Sequence, residues 1–161
     1  MASQAAEEIY QIIRRRRASR SSNSATTEQR WIAYHLADSY LAELASGLSI
    51  IAMHVLSALE KGESTGIDLA KQLGVTRGGV TRAAKRLEKF QLITANHHSD
   101  DRKKLYYSLT NEGRQIATVH DQMHRHLKET LVTAMTAKYS EDQLQLVAHF
   151  LKDLETMEEQ F

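Results

Sequence analysis

"TGIDLAKQLGVTRGGVTRAAKRLEKFQLI", residues 65–93, carries two short helical periodicities on either side of one glycine. In the first, Ile67, Leu69, Ala70 and Leu73 form the apolar set and Gly74 stops the helix. In the second, Thr76 is a capping residue, and Val80, Ala83, Ala84, Leu87 and Phe90 are spaced for burial. Two helices about a tight glycine-containing turn make a helix-turn-helix.

The residues that follow extend this unit. "LITANHH" (92–98) and "LYYSLT" (105–110) read as two strands around the charged loop "SDDRKK". Leu105, Tyr107 and Leu109 alternate with Tyr106 and Ser108, which predicts one buried face. A helix-turn-helix followed by a two-stranded ribbon with a basic tip is a winged helix-turn-helix.

The rest of the chain reads as helix. Residues 4–17 carry Ile9, Ile12 and Ile13 on one stripe and end in the run Arg14, Arg15, Arg16, Arg17. "ASRSSNSATT" is a small polar break. Thr26 or Thr27 caps the next helix, expected to run unbroken to about Ala45, with Gly47 ending it. Ser49 starts another, with Ile50, Val55, Leu56 and Leu59 inward, closing near Gly62. Thr110 caps a long helix whose stripe is Ile116, Val119, Met123, Leu127, Leu131 and Met135. Ser140 caps the last, with Leu144, Val147, Phe150, Leu151, Leu154, Met157 and Phe161. That second stripe exceeds what a small lobe needs for its own core. The fold class expected is therefore mainly α: a winged helix-turn-helix at 47–112, with dimerisation helices at 1–46 and 113–161.

Composition limits the function. Hydrophobic residues are 42% and charged residues 25%, so a soluble folded chain is expected. There is no cysteine, which excludes disulfides, thiolate metal sites and thiol redox chemistry together. No stretch is apolar enough for a membrane span or a signal peptide, so the cytoplasm is the expected compartment. Net charge is only +1, but its distribution is uneven. Lys71–Lys104 holds nine Lys/Arg against three acids, a balance of +6. Tyr139–Phe161 holds one Lys against six acids, a balance of −5. The basic middle is the part suited to a polyanion.

The major groove of DNA admits one α-helix, read by residues near its N-terminus. Here those are Thr76, Arg77, Gly78, Gly79, Thr81, Arg82 and Lys85. Arg77 and Arg82 are candidates for bidentate contacts to guanine, each worth about 1–3 kcal/mol of discrimination. Thr76, Thr81, Lys85 and Arg86 suit phosphates. Gly78 and Gly79 allow close approach or loosen the helix start. Arg102, Lys103 and Lys104 at the ribbon tip suit the negative potential of an adjacent minor groove. The Arg14–Arg17 run could add flanking phosphate contacts.

Residues 48–118 resemble the MarR family of bacterial transcriptional regulators. The resemblance rests on "LSIIAMHVLSAL", "IDLAKQLGVTRGGVTRAAKRLEKFQLI" and the wing with its "SLTNEG". It implies a symmetric homodimer that reads a pseudo-palindrome in double-stranded DNA, usually as a repressor. It also implies an effector site between the DNA lobe and the dimerisation helices. The family pattern Asp-x-Arg fits this wing in two ways. Asp101-Arg102-Lys103 keeps the distance to the "LT" but has Lys in place of Arg, whereas Asp100-Asp101-Arg102 keeps the Arg.

"HDQMHRH" puts His120 and His124 one helical turn apart, a spacing suited to two imidazoles on one metal ion, while His126 points elsewhere. With His54, this pair resembles the zinc-sensing branch of the family, implying Zn2+ as effector. That branch adds a Glu from the first long helix. His35, Asp38 and Glu43 are the nearby options here, and His35 is favoured because imidazole suits zinc. Two other functions compete. Trp31, Tyr34, Tyr40 and His35 could line a cleft for small phenolic or aromatic ligands. "HDQMH" also resembles the H-E-x-x-H of zinc hydrolases, with Asp121 as the base. No nucleophile triad or phosphate loop accompanies it, so no catalytic residue is assigned.

Overall fold

The structure, a computed structural model, describes residues 4–20, 27–99 and 102–158. It divides into two compact units, residues 1–48 and 49–161.

The first unit contains α1 (Gln4–Arg20), α2 (Thr27–His35) and α3 (Ser39–Ser46). The single helix expected between Thr27 and Ala45 is two. The break has a local cause. Asp38 adopts an extended backbone and its Oδ1 accepts from the amides of Tyr40 and Leu41, capping a new helix. A short carboxylate that satisfies two orphan N–H groups competes well with helix continuation. Ile32, Leu36, Leu41, Ala45 and Leu48 are buried, and Gln29 donates to the Leu48 carbonyl across α2 and α3. Ile9, Tyr10 and Ile12 of α1 are exposed. The expected cap Thr26 and most of the polar break lie outside the described residues.

The second unit runs α4 (Ile50–Leu59), β1 (Ser64–Thr65), α5 (Gly66–Leu73), α6 (Arg77–Lys89), β2 (Ile93–Asn96), β3 (Tyr106–Leu109), α7 (Asn111–Lys138) and α8 (Glu141–Glu158). Each helix start has the cap its sequence offers. Ser49 accepts from Ala52, Thr65 from Asp68, Thr76 from Gly79 and Thr110 from Gly113. Gly74 closes α5 in the left-handed region at φ 64°, a conformation that costs glycine little. Leu56, Leu59, Leu69, Val80, Leu87, Leu92 and Ile116 are almost wholly buried. Each contributes about 1.5–3 kcal/mol of apolar burial. They join α4 to α5, α6 and α7, so the lobe has one core. Ile67, expected inside, is 55% exposed, and Leu73 and Phe90 are half-buried.

The ribbon has a third strand. β1 is only two residues long, too short to show a period, and pairs antiparallel with β3 (Ser64 with Tyr107, Thr65 with Tyr106). β2 pairs with the other edge of β3, from Ile93–Leu109 to Asn96–Tyr106. Only Tyr107 of the expected inner face is buried, while Leu105 is exposed and Leu109 half-buried.

The junction between wing and α7 explains the "LTNEG" segment. Thr110 donates its amide to Leu92 O (3.1 Å) and its hydroxyl to Gln91 O (2.8 Å). Gly113 lies against the same backbone: a Cβ there would stand 1.9 Å from Leu92 O. Threonine is needed for its hydroxyl, and glycine for the close approach.

Candidate metal centre and nucleic-acid interface

On α6, burial of Val80, Ala83, Ala84 and Leu87 turns the opposite face outward. Arg77, Gly78, Thr81, Arg82, Lys85 and Arg86 are all exposed, with Thr76 as the N-cap. Gly78 has open space where a Cβ would be. Gly79, by contrast, is buried, and a Cβ there would lie 3.2 Å from Thr76 Oγ1 and 3.4 Å from Ile51 Cδ1. It is thus a packing glycine and does not belong to the outer surface. The Arg86 guanidinium lies over Phe90, 5.4 Å from the ring centre.

Arg102, Lys103 and Lys104 are exposed on the wing. A cleft of about 380 Å³ separates wing from α6, lined by Arg77, Thr81, Lys103, Lys104, Leu105 and Asp68 among others. The wing is braced from behind. His97 Nδ1 meets Lys104 O at 2.8 Å. His98 stacks on Tyr106 at 4.1 Å and meets Glu63 at 2.9 Å. The expected acids Asp100 and Asp101, and the side chains of Arg14–Arg17, lie outside the described residues.

The histidines converge between α4 and α7. The ring nitrogens of His54 (α4), His120 and His124 (α7) include one from each residue within 4.8 Å of the others. His120 is 3% exposed, His54 half-buried and His124 exposed. His120 Nδ1 is 3.0 Å from Asp121 Oδ1, which also accepts from Ser57 Oγ at 2.6 Å. A carboxylate only accepts, so Nδ1 of His120 carries the hydrogen. Its Nε2 then presents a lone pair toward Nε2 of His124, 3.1 Å away. Burial lowers the His120 pKa, reinforced by His124 and His54 and only partly offset by Asp121. The ring is therefore neutral near neutral pH, the form that a metal requires. Burial pushes the Asp121 carboxyl up, but the hydrogen bonds from Ser57 and His120 outweigh it and hold the group below its usual range.

This donor set fits a borderline-soft divalent ion. In a tetrahedral zinc site with Zn–N near 2.0–2.1 Å, donor nitrogens stand roughly 3.3 Å apart. The 3.1 Å spacing of the two Nε2 atoms is close to that. His35, the expected fourth donor, belongs to the first unit. There its ring stacks on Trp31 at 3.6 Å, its Nδ1 meets Trp31 O at 2.8 Å, and Tyr34 approaches edge-on. Sequence reading took Asp121 only as a possible catalytic base. Its pairing with Ser57, 64 residues away, has no local signature.

A basic recognition helix and a three-stranded wing define a winged helix-turn-helix protein. Comparison with known proteins gives the family. The MarR family profile matches residues 46–104. Transcriptional regulator AdcR of Streptococcus pneumoniae serotype 2 is 30% identical over 103 residues, covering 63% of this chain and 68% of its own. YvnA of Bacillus subtilis, an uncharacterized HTH-type transcriptional regulator, is 27% identical over 103 residues, covering 63% and 65%. The crystal structure of ZitR from Lactococcus lactis, a zinc-responsive MarR family member, aligns with a TM-score of 0.63 at 25% identity, over 68% of this chain and 76% of that one. The chain belongs to the MarR family. It matches about two thirds of the length of its curated relatives. These relatives are transcriptional regulators, which speaks against the hydrolase reading of "HDQMH". Among the described residues no helix is long and apolar enough to cross a membrane.

Proposed function

We propose that this protein is a zinc-responsive repressor that binds double-stranded DNA as a homodimer on a pseudo-palindromic operator. The observation that carries the reading is the pairing, on one lobe, of a basic helix and wing with a three-histidine cluster. α4 connects the two. His54 stands on it, and Ile51, one turn earlier, packs near Gly79 at the start of α6. A change in how α4 sits against α7 therefore reaches the recognition helix through direct packing.

Arg77 and Arg82 reach base edges from α6. Thr76, Gly78, Thr81, Lys85 and Arg86 track phosphates, and Arg102, Lys103 and Lys104 enter the neighbouring minor groove. Two lobes of a dimer would meet half-sites about one helical turn apart, roughly 34–36 Å. Exposed apolar side chains support the dimer: Ile9 and Ile12 on α1, Leu131 and Met135 late in α7, and Phe150 and Leu151 on α8. Residues 1–46 and 113–161 supply this interface, and 47–112 the DNA-reading lobe.

His54, His120 and His124 hold the ion. Zinc, when bound, would supply a rigid cross-link between α4 and α7. AdcR of Streptococcus pyogenes is named an adhesin competence repressor, which supports the same sign of regulation here.

The test is selection of DNA from a random pool by the purified full chain, with zinc or with a chelator. A palindromic sequence enriched only with zinc is expected. No enrichment in either arm overturns DNA recognition, and equal enrichment in both overturns the zinc response. Enrichment switched by salicylate-like acids instead would favour a phenolic effector.

A further inference from the structure

Asp121 lies beside the histidine cluster without joining it, although it is next to His120 in sequence and three residues before His124. Its Oδ1 is turned to His120 Nδ1 and to Ser57 Oγ. Ser57 is one turn beyond His54 on α4. The two helices that supply the cluster are thus also joined by a Ser57–Asp121–His120 chain. Glu60, the C-cap of α4, accepts from Thr118 Oγ1 of α7 at 2.9 Å, a second polar tie between the same elements. No buried side-chain polar atom lacks a partner among the described residues.

We infer that Asp121, fixed by Ser57, is the positioning residue of the metal site: it holds His120 in the Nδ1–H form and aims Nε2 at His54 and His124. This inference rests on the metal reading proposed above. Its physical basis is the two-faced chemistry of imidazole. A neutral ring carries one hydrogen, and unconstrained it populates both tautomers. In the Nε2–H form the nitrogen facing the cluster has no lone pair to give. A carboxylate at Nδ1 removes that form, fixes the ring plane and raises the basicity of Nε2. Ser57 does the same for the carboxylate, since its 2.6 Å bond holds Oδ1 where Nδ1 needs it. The acid of this H-D-x-x-H therefore orients a ligand and abstracts no proton from water.

Long-range proton–nitrogen NMR of the metal-free full chain reads the tautomer directly. His120 should be Nδ1–H in the wild type and mixed, or Nε2–H, in Asp121→Ala. A wild-type His120 carrying its hydrogen on Nε2 overturns the inference. Zinc calorimetry supplies the second readout. Asp121→Ala should weaken binding about 10–100-fold. Asp121→Asn, which keeps an acceptor oxygen, should fall between it and wild type, and Ser57→Ala should lose less than Asp121→Ala. The two milder variants serve if Asp121→Ala does not fold. Wild-type zinc affinity that survives both Asp121 substitutions, while His124→Ala abolishes it, overturns this inference alone. If the wild type binds no zinc, the metal reading fails and the inference with it.

Discussion

The two halves of α7 carry one continuous apolar stripe and meet opposite fates. In the first, Ile116 and Ala117 are 0% exposed, His120 3% and Met123 4%. In the second, Leu127 is 42% exposed, Leu131 51% and Met135 43%. The first half covers α4 and β3, so its partner is in the same lobe. The second half and α8 present a similar pattern that is exposed among the described residues. An amphipathic period fixes which face seeks burial, but not what covers it. An exposed stripe of this length rarely stays open to water, which is why it is read as a dimer surface.

Four changes sharpen or break this contrast. The largest effect is expected from Ile116→Ala, which should cost about 2–5 kcal/mol in thermal or denaturant unfolding because it opens a cavity in a closed core. Leu131→Ala should change lobe unfolding by only about 0.5 kcal/mol or less while weakening self-association in sedimentation. Equal destabilisation by both would mean that the second half is buried in the single chain after all. Next, Gly113→Ala should cost about 1–3 kcal/mol, since its methyl group would meet the Leu92 carbonyl and push α7 from the wing. A melting temperature within a degree of wild type would mean that the junction yields freely. The smallest stability change belongs to the exposed side of the lobe. Lys103→Ala should leave folding intact, weaken DNA binding across all sequences and lower the salt slope of log K by about one. An unchanged slope would remove Lys103 from the phosphate contacts.

Much of this was legible in the sequence because it is local. Caps at Ser49, Thr76 and Thr110, the stop at Gly74 and the core set Val80, Ala83, Ala84 and Leu87 follow from side-chain chemistry within one or two turns. The i, i+4 spacing of His120 and His124 likewise needs only helix geometry. What misled was also local. The strong helix formers from Thr27 to Ala45 hid a break that only the side chain of Asp38, as N-cap of α3, marks. Ile67 looked internal by period, yet stands at the mouth of the cleft. β1 was invisible because two residues have no period.

The sequence by itself therefore determined the helices, the turn between α5 and α6, the basic face of α6 and the paired histidines. Each depends on neighbours a few residues apart. Only the tertiary structure decided that Ser57 reaches Asp121, that Gly79 is a packing residue and that β1 completes the wing. Those contacts bridge tens of residues, and the packing of α4 against α6 and α7 sets them. No periodicity along the chain encodes which faces meet.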